Sequence, residues 1–144
     1  MSAEQTKETV LAYGHENIKA THPSTLMFTK DKSLSKTGDC IVAVAADKAV
    51  ADLSQEVKEK LKKPEAKLTI SIEADGLTQQ INASGSPKLV LADLTDMVIR
   101  KGDYISDRTL AVDADKSSND LPREFIEKLK NPEQQIEITL IVHA

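Results

Sequence analysis

The second half of this 144-residue chain repeats the first half, and this duplication constrains the fold more than any other feature. The sequence AVAADK at residues 43–48 returns as AVDADK at residues 111–116, sixty-eight positions later. The same register still holds where Leu61 matches Leu129 inside a shared EKLK sequence. Residues that both copies share are expected to serve the repeated fold, whereas chemically distinctive residues present in one copy are candidates for function.

The repeat also extends toward the N-terminus in a slightly different register. Gly14 matches Gly85 at a spacing of seventy-one, so one connecting loop is three residues shorter in the second copy, a change that surface loops tolerate well. We predict two units, about 6–73 and 77–142, within a single domain 1–144. Each unit is too short to bury a generous core alone, so we expect the two to pair about a pseudo-twofold axis.

Apolar and β-branched runs predict most of each unit to be strands. The predicted strands before the helix lie at residues 6–13, 17–21, 25–29 and 40–45, with counterparts at 78–84, 88–92, 96–100 and 109–112. One further alternating run follows the helix in each unit, at residues 67–74 and 135–142. Each unit is therefore predicted to follow the order β-β-β-β-α-β.

Two helices are predicted from apolar residues that recur every fourth position. They span residues 53–63 and 121–130, and Asp52 and Asp120 are predicted as their N-terminal caps. The expected fold is α+β with pseudo-twofold symmetry, forming a closed or nearly closed β-barrel with two helices. Closure would remove the exposed strand edges that promote aggregation.

Composition and charge narrow the class of protein. No apolar run approaches the roughly 20 residues that span a bilayer, and the N-terminal residues lack the pattern of a signal peptide. The single Cys40 excludes an internal disulfide and suits a reducing cytosol, so a cytoplasmic location is expected. A net charge of −4 and 3% aromatic residues argue against nonspecific nucleic-acid binding.

The second copy carries arginines where the first copy has other groups. Arg100 matches Thr29, and Arg108 matches Cys40. Arginine is well suited to holding phosphate or carboxylate groups, so this pair predicts an anion site. The alternative is that nearby carboxylates neutralise both arginines within the protein, and the candidates are Asp96, Asp103 and Asp107.

The first copy has its own distinctive groups. His15, His22 and Cys40 are ligand types that zinc accepts, although their spacing matches no established metal motif. A Cys–His nucleophilic pair oriented by Asp39 is a second interpretation. The third is that the histidines lie in turns and the thiol acts as a small buried hydrophobic group.

Several short motifs resemble those of an archaeal family of short proteins that is classed as a domain of unknown function, number 371. The resemblance covers nearly the whole chain, and it implies an archaeal cytoplasmic origin and no established activity. Its motifs are GH-x-N at residues 14–17, ATH at 20–22, GDCI at 38–41, GSP at 85–87, IRK at 99–101 and RTLA at 108–111.

Three classes of function follow from these residues. We favour a small-ligand binding or regulatory protein that holds an anionic metabolite in a cleft between the units, where ligands commonly bind. The alternatives are an enzyme with a His/Cys site, with or without a metal, and an RNA- or protein-interaction module. The candidate ligand-binding residues are His15, His22, Asp39, Cys40, Asp96, Arg100, Lys101, Asp107, Arg108 and Thr109.

Overall fold

A computed structural model describes residues 5–35 and 38–144. Within these residues the chain forms eight strands and two α-helices. In chain order they are β1 (Gln5–Tyr13), β2 (Thr25–Thr29), β3 (Ile41–Ala43), α1 (Gln55–Leu61), β4 (Lys67–Ala74), β5 (Leu77–Ser84), β6 (Asp96–Arg100), β7 (Thr109–Ala111), α2 (Arg123–Leu129) and β8 (Gln135–His143). No helix in the described ranges is long and apolar enough to cross a membrane.

The strands form two separate four-stranded sheets. The first has the order β1-β8-β4-β5, and the second has the order β3-β2-β6-β7. The predicted barrel is therefore wrong, because neither sheet closes on itself. The isolated bridges Tyr13–Val44 and Ser84–Val112 join strand ends of one sheet to residues that follow the edge strands of the other, and two single bridges do not make a continuous ladder.

The two repeats are interleaved rather than set side by side. Every neighbouring pair in the first sheet joins a strand from one half of the chain to a strand from the other, and the strand order is unchanged when equivalent strands are exchanged. In the second sheet the central pair β2–β6 crosses between the halves in the same way, with antiparallel pairing. An axis that passes between β2 and β6 therefore relates the two halves of that sheet.

The predicted β-β-β-β-α-β order is also wrong, because only three strands precede each helix. Residues 17–21 and 88–92 are not strands. Each of these segments contains a residue in the left-handed backbone region, Ala20 with φ of 50° and Leu91 with φ of 54°. An extended strand cannot continue through that conformation, and the chain turns there instead.

Both helices are shorter than predicted, and their caps differ from the prediction. A 3-10 turn precedes each helix, and Asp52 and Asp120 close these turns by accepting hydrogen bonds from the backbone N–H groups of Ala49 and Ser117, at 2.8 Å each. At α1 the capping residue is Ser54, whose side chain accepts a hydrogen bond from the backbone of the third helical residue.

The helices bury one face against the sheets, as their periodicity predicted. Val57 and Leu61 of α1 are fully buried, and so are Phe125 and Leu129 of α2. The side chains of Leu26, Phe28, Met97 and Ile99 in the second sheet belong to the same core. The opposite face of that sheet is left for other contacts, and it carries the polar residues of the candidate site.

Candidate functional site

The candidate site lies on the face of the second sheet that points away from the core. Thr25 pairs with Arg100 across β2 and β6, Met27 pairs with Val98, and Thr29 pairs with Asp96. Successive side chains of a strand point to opposite faces, so these three pairs share the face that the core residues leave. Arg100 and Asp96 therefore lie on one face of the sheet, with the buried Met27–Val98 pair between them.

Cys40 and Arg108 reach this surface from opposite sides. The carbonyl of Cys40 accepts a hydrogen bond from the Met27 N–H at 2.9 Å, and the carbonyl of Arg108 accepts one from the Val98 N–H at 2.9 Å. The two contacts are equivalent under the repeat. The duplication therefore places a thiol beside one central strand and a guanidinium beside the other.

Arg108 reaches back over the sheet to a carboxylate. Its Nη1 donates to Asp96 Oδ2 at 3.1 Å and approaches the Met27 sulfur at 3.8 Å. The Arg108 side chain is 44% exposed, whereas that of Asp96 is 15% exposed. The other carboxylate oxygen, Oδ1, is buried and has no hydrogen-bond partner within residues 5–35 and 38–144. The predicted neutralisation thus holds for Arg108 with Asp96, but it leaves half of this carboxylate without a partner.

Arg100 has only neutral partners in the described part of the chain. Its Nε donates to Thr109 Oγ1 at 3.3 Å, and its Nη2 lies 3.5 Å from Ser106 Oγ. Its guanidinium carbon lies 5.0 Å from the centre of the Tyr104 ring, a cation–π distance. The pKa of Arg100 lies below its ordinary value, first because burial removes water from the charge and second because Arg108 repels it. Within the described residues, Arg100 therefore has no carboxylate partner, and a second positive charge repels it.

The thiol of Cys40 lies within electrostatic reach of both arginines but is not activated by them. The pKa of Cys40 is raised, mainly because burial disfavours the thiolate and also because the neighbouring Asp39 carboxylate repels it. The attraction of Arg108 and Arg100 acts in the opposite direction and is outweighed. A thiolate is the nucleophilic form, so this environment does not favour the predicted Cys–His nucleophile.

The two histidines of the first repeat close turns. His22 Nδ1 accepts hydrogen bonds from the backbone N–H groups of Ser24 and Thr25, at 3.1 Å each. His15 Nδ1 accepts one from the Asn17 N–H at 3.0 Å. In both histidines Nδ1 therefore already accepts a hydrogen bond, which it would have to give up to bind a metal. Within the ranges 5–35 and 38–144, no three His, Cys, Asp or Glu side chains come together as a metal site.

Two further predicted residues, Lys101 and Asp107, make their contacts away from the arginine pair. Lys101 forms an ion pair with Asp120 at 2.7 Å, which the duplication repeats as Lys30 with Asp52 at 2.7 Å. Asp107 is exposed, and its backbone carbonyl accepts hydrogen bonds from residues 92 and 93. Of the ten predicted residues, those that come together around the arginines are Cys40, Asp96, Arg100, Arg108 and Thr109. The carbonyl of Asp39 instead accepts hydrogen bonds from the backbone of Thr21 and His22.

Three residues of the site were not predicted. Met27 lies beneath Arg108, Ser106 hydrogen-bonds toward Arg100, and Tyr104 stacks beside Arg100. Tyr104 is 67% exposed, in a chain that has only two tyrosines. Tyr104 lies between Arg100 and Arg108 in the sequence, and an aromatic residue in that position could have indicated the site. Met27 looked like an ordinary strand residue.

Comparison with known proteins supports the resemblance noted from the motifs. The model of the family described as "Domain of unknown function (DUF371)" matches residues 10–143. The chain is also similar to the "Uncharacterized protein MJ0206" of the archaeon Methanocaldococcus jannaschii. The two are 44% identical over 127 residues, which covers 88% of this chain and 93% of the relative. The family predicted from the short motifs is confirmed.

Proposed function

We propose the following function for this chain, which belongs to the DUF371 family: it binds a small anionic ligand at the guanidinium pair of Arg100 and Arg108. The observation that carries the proposal is the state of Arg100. Its charge is partly buried, the charge of Arg108 repels it, and no carboxylate of the described residues pairs with it. An anion bound between the two side chains would relieve this repulsion and gain charge-assisted hydrogen bonds.

The hydroxyl groups around Arg100 support the same proposal. Thr109 Oγ1 and Ser106 Oγ orient the guanidinium from one side, and the Tyr104 ring lies beside it. A guanidinium held in this way loses little rotational freedom when a ligand binds, which favours affinity. Arg108 is the more exposed member of its ion pair with Asp96, at 44% against 15%, so its guanidinium can turn from Asp96 toward a ligand.

The other two classes of function have less support. The raised pKa of Cys40 keeps the thiol protonated, and both histidines already accept backbone hydrogen bonds through Nδ1. A nucleic-acid surface would need several basic residues in a continuous stripe. Lys101 beside this site is instead paired with a carboxylate, and the whole chain carries a net charge of −4.

The proposal is tested by thermal unfolding with increasing inorganic phosphate at constant ionic strength. A ligand that binds only the native state raises the melting temperature in proportion to the logarithm of its concentration above Kd. We expect phosphate to raise the melting temperature of the parent protein. Arg100→Ala and Arg108→Ala should abolish the effect while leaving the protein folded.

Arg123→Gln is the matched control, because it removes the same charge from a third arginine. Among the described residues, the hydrogen bonds of Arg123 go to backbone carbonyls, such as Ala20 O at 2.8 Å. This variant should unfold at a lower temperature and still respond to phosphate. If Arg100→Ala retains the full phosphate response, or if all three variants lose it equally, the site is not at this guanidinium pair.

A further inference from the structure

Asp96 is an unusual neighbour for an anion site, and it restricts which anions can bind. Its Oδ2 accepts one hydrogen bond from Arg108, and its buried Oδ1 accepts none from the described residues. Buried carboxylate oxygens are normally satisfied. When Arg108 turns toward a ligand, Asp96 loses this partner and faces the ligand as a negative charge.

Two consequences follow for a ligand that engages Arg108. A fully deprotonated anion would be repelled by Asp96 at close range, because like charges in a partly buried site are weakly screened. An anion that carries its own O–H would instead donate a hydrogen bond to the carboxylate. Such an O–H···O⁻ bond is short and strong, and Oδ2, the oxygen that Arg108 would release, would accept it.

We infer that the site selects protonated tetrahedral anions, that is, phosphate or a phosphate monoester that donates its P–OH to Asp96. This inference rests on the proposed anion site and specifies its ligand class. Arg100 and Arg108 attract the negative oxygens, and Asp96 accepts the proton-bearing one. Asp96 is thus a specificity-determining residue, and no covalent step is involved.

Phosphate and sulfate separate this inference from simple charge attraction. Both are tetrahedral oxyanions, but sulfate carries no proton near neutral pH. Inorganic phosphate retains at least one P–OH at a pH of about 6, and about half of a phosphate monoester does. Charge alone would favour the sulfate dianion at two guanidinium groups. A preference for phosphate therefore reports the donated hydrogen bond.

The experiment is a calorimetric titration of the parent protein with inorganic phosphate and with sulfate, at a pH of about 6 and at equal ionic strength. We expect phosphate to bind at least about tenfold more tightly, which corresponds to one charge-assisted hydrogen bond. Asp96→Asn presents an amide that can donate to sulfate, so the preference should fall to about one and sulfate should bind more tightly than it does to the parent.

Asp103→Asn is the matched control, because it removes the same charge from an exposed position in the loop after β6. It should keep the preference of the parent.

Equal binding of phosphate and sulfate to the parent would overturn the role of Asp96 and leave the anion site standing. If neither anion binds the parent, the proposed function itself fails. Because the ratio is measured on the parent, it decides the inference even if Asp96→Asn does not fold. A preference that Asp103→Asn relaxes as much as Asp96→Asn would assign it to general charge and also overturn the inference.

Discussion

At the level of single residues, the two repeats close the same turn with two different chemical groups. His22 Nδ1 accepts hydrogen bonds from two backbone N–H groups ahead of it in the chain. In the second repeat Asp93 Oδ2 accepts the equivalent pair, from Thr95 at 3.1 Å and Asp96 at 2.7 Å. An imidazole and a carboxylate are therefore interchangeable as the acceptor that closes this turn.

A pair of substitutions tests this equivalence. His22→Ala removes the acceptor and leaves two backbone donors without their partner, so the free energy of unfolding should fall by about 1 kcal/mol, the usual cost of losing a capping side chain. His22→Asp installs the group that the second repeat uses and should cost less than about 0.5 kcal/mol. Urea denaturation measures both. An Asp variant that is less stable than the Ala variant would contradict the turn role.

Only part of the site could be predicted from the sequence, and the rest depends on the contacts of single residues. The repeat alignment was enough to pair Cys40 with Arg108 and Thr29 with Arg100, and it identified the two arginines as candidates. It could not show that the ring nitrogen of His22 accepts hydrogen bonds in a turn. A histidine in a turn and a histidine that binds a ligand look alike in a sequence. Nor could it show which carboxylate meets Arg108, because that depends on β2 and β6 being neighbours.

At the element scale, each helix is preceded by a 3-10 turn that an ion pair holds in place. Asp120 Oδ2 accepts from the N–H and the hydroxyl of Ser117 and pairs with Lys101. The helices themselves were predictable from their apolar spacing. Their N-terminal caps were not, because Asp52 and Asp120 each lie beside a strong helix signal and close the preceding turn instead.

The stability that Asp120 contributes should depend on pH. The hydrogen bond from Lys101, followed by that from the Ser117 backbone, lowers the pKa of Asp120 from 3.8 to about 2. A carboxyl group with a lowered pKa stabilises the folded protein above its ordinary pKa, and this contribution is lost as the pH falls toward the folded value. The side chain is 39% exposed, so we expect a contribution of about 1 kcal/mol or less.

Urea denaturation of the parent and of Asp120→Asn at a series of pH values measures this contribution. The difference in the free energy of unfolding should be largest above a pH of about 4 and should shrink as the pH falls to about 2. A difference that is constant across this range would show that the ionised carboxylate is not what stabilises the turn.

At the scale of the whole molecule, two matched glycines fasten each half of the chain to the helix of the other half. His15, directly after Gly14, donates its N–H to Leu129 O at 2.9 Å, and Ser86, directly after Gly85, donates its N–H to Leu61 O at 2.9 Å. A Cβ atom on either glycine would overlap a backbone carbonyl at the end of that helix. The close approach of two backbones explains why both copies keep glycine here.

Replacing either glycine should therefore be costly. Gly85→Ala places a methyl group against the Leu61 carbonyl, which is backbone and cannot rotate away, so the free energy of unfolding should fall by about 1–3 kcal/mol or more. Gly14→Ala should behave similarly. Gly102→Ala, where no heavy atom lies within 4 Å of the added Cβ, should change stability by less than about 0.5 kcal/mol. Equal effects at all three positions would show that the junctions are not tightly packed.

The architecture was only partly predictable from the sequence. Alternation in β4 and β8 located those strands almost to the residue. Nothing local to residues 17–21 or 88–92 indicated the left-handed conformations of Ala20 and Leu91, each of which removes a predicted strand from its own unit. The barrel prediction was wrong because strand order depends on pairings between distant segments, such as β1 with β8, and no periodicity encodes those pairings.

The side-chain Nε–H resonances of the arginines report whether Arg100 and Arg108 bind an anion. The chain has three arginines, and Arg123, which donates to backbone carbonyls such as Lys19 O, serves as an internal reference. During a titration with inorganic phosphate at constant ionic strength, the nitrogen-15 correlated signals of Arg100 and Arg108 should shift along one saturating curve while that of Arg123 stays in place. Three stationary signals, or three that drift together without saturating, would show that Arg100 and Arg108 do not form a phosphate site.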